Sequence, residues 1–178
     1  MREFKKVTED QWKKKSIDPR LYGFQFQQGT RWNAGLSEGI IAEYEGVLEA
    51  QFPDDLRAFL HELNGTDLPT LNVYGFCGEP HRKSVGVYSY PRDIDLVKQR
   101  IEDLRTSRSD IAADLAEQGF ELLPDTKLVP IFAHRYVVCS PNRDSSVVLS
   151  IVVHHTDATI YGKCLQEYLE KEFLGRSS

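Results

Sequence analysis

Three short apolar runs crowd the C-terminal third of the chain, at residues 128–131, 136–139 and 147–153, each rich in the β-branched and aromatic types that suit strands. Turn-forming residues divide them: Ser140-Pro141-Asn142-Arg143-Asp144 after the second run and His155-Thr156-Asp157 after the third. Strands that follow one another this closely pair antiparallel, because a parallel return needs a long crossover. The last third is therefore predicted to be an antiparallel sheet, closed by an amphipathic helix with Cys164, Leu165, Tyr168, Leu169 and Phe173 inward and Gly175 as its stop.

Upstream the hydrophobic period is helical. Ser37 offers an N-cap for a helix whose apolar stripe is Ile40, Ile41, Tyr44, Val47 and Leu48. A second helix opens at Phe52-Pro53-Asp54-Asp55, with proline in the first turn and carboxylates at the positive end of the macrodipole. Leu56, Phe59, Leu60 and Leu63 form its buried face, and Asn64-Gly65 supplies a left-handed stop. Residues 71–74 and 85–90 then read as a hairpin around Gly78-Glu79-Pro80-His81. The helical period returns at Ile94, Val97, Ile101 and Leu104, breaks near 106–110, and resumes with Ile111 and Leu115 before Gly119.

The N-terminal segment is less constrained. Thr8 with Gln11 makes a capping box for a short helix that Pro19 prevents from extending, so residues 1–20 are expected to be a peripheral N-terminal helix. Between 21 and 33 the chain reads as loop or irregular strand, and its Trp32 needs burial. With 178 residues and neither repeat nor linker, the whole of 1–178 is expected to form a single domain.

Charge and cysteine usage narrow the function classes. Twenty-seven acidic against 22 basic residues give a net charge of −5, which disfavours a nucleic-acid partner. The lysines at 5, 6, 13, 14 and 15 are interleaved with Glu3, Glu9 and Asp10 and read as a solvated helix face. Cys77, Cys139 and Cys164 are widely spaced without a CxxC pair, which suits a reducing cytoplasm. A basic start that leads into Thr8-Glu9-Asp10-Gln11 does not read as a signal peptide, and no apolar run is long enough to span a bilayer, so no membrane partner is expected. Asn64-Gly65-Thr66 spells a glycosylation acceptor, taken as coincidence in a cytoplasmic chain.

Chemistry-bearing motifs are weak. Gly35-Leu36-Ser37-Glu38-Gly39 has the letters of a GxSxG nucleophile elbow, but the polar, turn-like 28–33 is not the buried strand an elbow needs. His154 and His155 point to opposite faces if they lie on a strand, and His61 has glycine at i+4, so no metal site and no cofactor are expected. The carboxylates at 54–55 and at 93 and 95 fit helix N-termini better than acid/base pairs, and there is neither a P-loop nor a GxGxxG. His134-Arg135-Tyr136 could face a groove at a strand edge, or be a core tyrosine flanked by two polar residues. Tyr74, Tyr88 and Tyr90, like Trp32, are candidates to line a partner-binding surface, the alternative being simple alternation across a sheet.

Taken together, Glu45, the run from Phe52-Pro53-Asp54-Asp55 through Leu60, and Asn64-Gly65 resemble the helix-LP-helix-NG signature of the SUKH superfamily, which includes fungal cell-wall synthesis (Smi/Knr) regulators and bacterial toxin-immunity proteins. Leu128-Val129-Pro130-Ile131, His134-Arg135-Tyr136, Val147 to Ile151, Tyr161-Gly162 and Leu165 through Phe173 are similar to the closing strands and helix of its bacterial members. The resemblance covers 32–173; Phe52 stands where the family has leucine, and 66–83 matches loosely. It implies an α+β fold with one mostly antiparallel sheet and helices packed around it, no cofactor, and action by binding other proteins. Glu45, Pro53, Asn64, Gly65, Pro130, Tyr161 and Gly162 are then expected to hold the scaffold. The function this implies is a cytoplasmic immunity-type protein that neutralises a toxin by stoichiometric binding. The alternatives are an intracellular regulatory or scaffold module and, last, a hydrolase using His134.

Overall fold

The computed structural model describes residues 1–73, 82–140, 146–152 and 157–175; Tyr74, the 78–81 turn, His154 and His155 lie outside them. The fold is α+β, and every described strand pairing is antiparallel. Pairing is divided among three sheets rather than the single sheet expected.

The largest is the predicted C-terminal meander, β6 (Lys127–Phe132), β7 (Arg135–Cys139), β8 (Val148–Val152) and β9 (Asp157–Gly162), in that order. Both of its faces are covered, so its strands read as continuous apolar runs instead of alternating ones. Val129, Val137, Cys139 and Val148 face the larger core, built with α2 (Glu38–Leu48), α3 (Asp54–Glu62) and α6 (Leu165–Leu174). Leu128, Tyr136, Val138, Leu149 and Ile151 face a second core closed by Ile111 and Leu115 of α5 (Arg108–Glu117), which follows α4 (Ile94–Asp103). Strand β9 is indicated only by the resemblance at Tyr161-Gly162 and not by a pattern of its own: only Ala158 and Gly162 of its six residues are buried, and such small side chains give little apolar pattern.

The other two sheets are small. β1 (Gly23–Gln25), β4 (Thr70–Val73) and β5 (Arg82–Ser84) form one, and β2 (Trp32–Ala34) with β3 (Leu63–Thr66) the other. The second hairpin strand is thus 82–84, and the expected strand at 85–90 is irregular, touching the main sheet by one bridge from Val87 to Phe132. Asn64-Gly65 lies inside β3: α3 ends at Glu62, and Leu63 is already extended.

The N-terminal helix, α1 (Arg2–Lys14), corrects two expectations. Thr8 is not its cap but an interior residue, its hydroxyl donating back to the Phe4 and Lys5 carbonyls and accepting the Trp32 indole N–H at 2.8 Å. Nor is the helix peripheral. Phe4, Thr8 and Trp12 recur every four residues on one face, and Trp12 is only 3% exposed, stacked on Phe26 with centroids 4.5 Å apart. Trp32 and Phe173 complete this aromatic group. Trp12→Ala is expected to cost about 3–5 kcal/mol of unfolding free energy, the usual range for truncating a buried aromatic; a loss below about 1 kcal/mol in urea titration would restore the peripheral reading.

Candidate functional site

Four of the residues proposed from sequence as a partner surface are interior. Trp32, Tyr88, Tyr90 and Tyr136 are all buried. Aromatic side chains serve core and interface equally well, so composition alone could not separate the two. Tyr88 directs its hydroxyl to the Ala133 carbonyl, Tyr90 donates to the Glu43 carboxylate, and burial pushes the Tyr136 phenol up to about 12.

His134, Arg135 and Tyr136 do not converge. His134 sits in the β6–β7 turn, and the strand alternation that follows sends Arg135 and Tyr136 to opposite faces. Arg135 donates from Nε to Glu172 at 3.2 Å and from Nη1 to Ser150 Oγ at 2.8 Å, and its guanidinium lies 3.8 Å over the Tyr161 ring. Lys171 Nζ lies 4.0 Å from the same ring, so two cations hold Tyr161 between β9 and α6. His134 lies near Phe24, with ring centroids 5.9 Å apart, and burial, with a lesser contribution from the Arg135 charge, lowers its imidazole to about 4.

The scaffold residues named from the resemblance occupy joints. Glu45 accepts the Phe52 N–H at 2.7 Å and pairs with Arg57, tying the α2–α3 loop to α3. Pro53 is the residue before α3, and Pro130 pairs with Tyr136 in the β6–β7 ladder. The Asn64 amide donates to the Tyr90 carbonyl at 2.7 Å and accepts the Tyr90 N–H at 2.9 Å, reproducing a strand pairing with a side chain. Gly65 has φ +70°, and a Cβ there would lie 2.6 Å from the Val87 and Tyr88 carbonyl oxygens. Gly162 is pressed against Tyr168, where a Cβ would come within 3.0 Å.

Two features carry no sequence motif that would have found them. Arg57 bridges Glu45 and Glu38, and Glu38 also meets His61 Nε2 at 2.8 Å, joining both ends of the α2–α3 pair. An open groove of about 700 Å³ runs beside α4 and α5, lined in part by Glu49, Arg105, Arg108 and Lys127. Arg108 is committed within it, its Nη2 donating to the Leu123, Pro124 and Thr126 carbonyls. Ser37 has an ordinary extended backbone, φ −72° and ψ 160°, not the strained turn of a nucleophile elbow. Among the described residues, no three His, Cys, Asp or Glu side chains are grouped to hold a metal ion, and no helix is long and apolar enough to cross a membrane.

Comparison with known proteins gives no match to a family model, to a curated protein or to a solved structure.

Two predictions test these joints. Asn64→Ala leaves a buried N–H and C=O of Tyr90 without partners and is expected to lower stability by about 2–3 kcal/mol; Asn64→Asp, which can accept but not donate when ionised, should also destabilise, and neutrality of both in denaturant titration would refute the clamp. Because His134 is held neutral when folded, the unfolded chain binds its proton first as pH falls. Its contribution is complete above 6.5 and is lost between 6.5 and about 4. His134→Gln should flatten the pH dependence of unfolding free energy in that window, and an unchanged slope would count against a half-buried neutral ring.

Proposed function

We propose that the chain is a cytoplasmic protein-binding module of the SUKH kind, an immunity-type protein that neutralises a toxin by one-to-one binding. The observation that carries this reading is how its chemically capable side chains are used. Glu45, Arg57, Asn64, Arg108 and Arg135 each tie one element to another through directed hydrogen bonds. Such groups define a rigid scaffold whose outer face is free to vary with the partner. The residues that carry the resemblance, Glu45, Asn64, Gly65 and Gly162, stand at those joints, as scaffold-determining positions should. This reading assigns no catalytic residue and no cofactor. A reducing compartment agrees with the free thiols of Cys139 and Cys164.

The regulatory or scaffold alternative draws no support from the N-terminal helix, because Trp12 seats that helix in the core. The chain should form a one-to-one complex with the product of the adjacent open reading frame, seen by light scattering on co-purified material, and co-expression should relieve that product's toxicity. Absence of a complex, or several weak partners in place of one tight one, would reject the immunity reading.

A further inference from the structure

The chain's negative charge is not spread over its surface. Between residues 32 and 56 lie Glu38, Glu43, Glu45, Glu49, Asp54 and Asp55 and not one lysine, arginine or histidine. These six charges exceed the net charge of −5 for the whole chain, so the remainder is close to neutral. Helix α2 runs through the middle of this stretch. Arg57 counters Glu45 and Glu38 from α3, while Lys127 stands 3.8 Å from a Glu49 whose side chain is 85% exposed.

Gly39, Ala42 and Gly46 form an exposed line opposite the buried stripe of Ile41, Tyr44 and Leu48, so the outward face of α2 is built of small apolar residues at its centre. Ile40 and Val47, seven residues apart and so on one line of the helix, stand at the margin of the buried stripe, each 37% exposed. Glycine in a helix is less favourable than alanine. Among the described residues nothing asks for either glycine: both have helical backbone, and a Cβ at each would meet no atom within 4 Å. That contrasts with Gly35, Gly65 and Gly162, where the chain's own atoms occupy the space. A helix that gives up stability for a bare backbone strip facing outward is suited to close approach by another backbone.

We propose that this face of α2 is the docking surface for a protein partner whose contact ridge is apolar at its centre and rimmed by lysine or arginine. The proposal rests on the protein-binding reading above and gives that partner its chemistry. The acidic rim selects the occupant: a second copy would set Glu43 and Glu49 against like charges, and nucleic acid or an anionic membrane would be repelled.

The test uses the intact chain, ¹⁵N-labelled, titrated with a Lys/Leu amphipathic helical peptide as probe, with a Glu/Leu counterpart and a Lys/Ser peptide of equal charge as controls. Amide shifts are expected to centre on Gly39, Ala42, Glu43 and Gly46 with the Lys/Leu peptide and to be absent with the Glu/Leu one. Val47→Lys should weaken binding about tenfold or more, and Val47→Ser, which removes only the apolar contact, should weaken it less. Gly46→Ala should raise the melting temperature while lowering affinity, an opposition that a structural role for the glycine does not produce. The proposal is overturned if shifts map elsewhere, if the Lys/Ser peptide binds equally well, or if Val47→Lys and Gly46→Ala bind as the parent does. A positive α2 result with no neighbour-encoded complex keeps this surface and removes the toxin reading. A one-to-one complex indifferent to Val47→Lys does the reverse.

Discussion

Burial of the four-stranded meander on both faces is the constraint on which the rest of the structure depends. A sheet that is apolar on both sides must be covered twice. Here α5 closes one side through Ile111 and Leu115, while α2, α3 and α6 close the other. That second side is too wide for three short helices alone. Phe26, Phe132, Phe173, Trp12 and Trp32 fill its margin as one aromatic group, with centroid separations between 4.5 and 6.4 Å. Helix α1 therefore belongs to the core despite its lysines, of which Lys6, Lys13 and Lys14 are exposed.

Covering a sheet with helices leaves irregular segments between layers, and their backbone groups need partners. The stretch 85–90 shows how this chain meets that need. Val87 gives its carbonyl to Thr66, Tyr88 donates to Ile131, Ser89 donates to Asp93 and Tyr90 is held at both backbone atoms by Asn64. Groups on four different residues replace one ladder. Gly65 is what allows the approach, because any side chain there would collide with the carbonyls it must pass. The Asn-Gly pair thus acts between layers, not at the end of α3.

This explains which parts were legible in the sequence. Helices α2 to α6 carry a periodic apolar pattern because each turns one face to a core, and strands β6 to β8 read as continuous apolar runs because both of their faces are buried. Strand β9 meets the core through Ala158 and Gly162, and α1 through a line that includes a threonine, so neither has the pattern. Asn64-Gly65 was recognisable as important, yet its role depends on 87–90, more than twenty residues away, which local rules cannot see. The same limit applies to the site: Tyr88, Tyr90, Tyr136 and Trp32 are chemically suited to a surface or a core, and only the packing decides. On α2 the spacing places Ile40 and Val47 within the buried stripe, whereas they stand at its margin, each 37% exposed.

That misfit has a physical meaning. A helix needs only Ile41, Tyr44 and Leu48 to seat α2 on the core, and these are its buried residues. Ile40 and Val47 each leave 37% of their surface exposed, while Gly39 and Gly46 remove helix propensity that folding would use. The glycines run against stability, and both departures fall on α2, inside the stretch where the acidic charge is concentrated. Local choices that disagree with the fold are where selection for something other than folding is to be sought. The interior polar network needs no such explanation, because every bond in it closes a joint; at Gly39 and Gly46 a Cβ would meet nothing among the described residues, and the cationic, apolar-centred partner proposed for this face would give that bare strip its role.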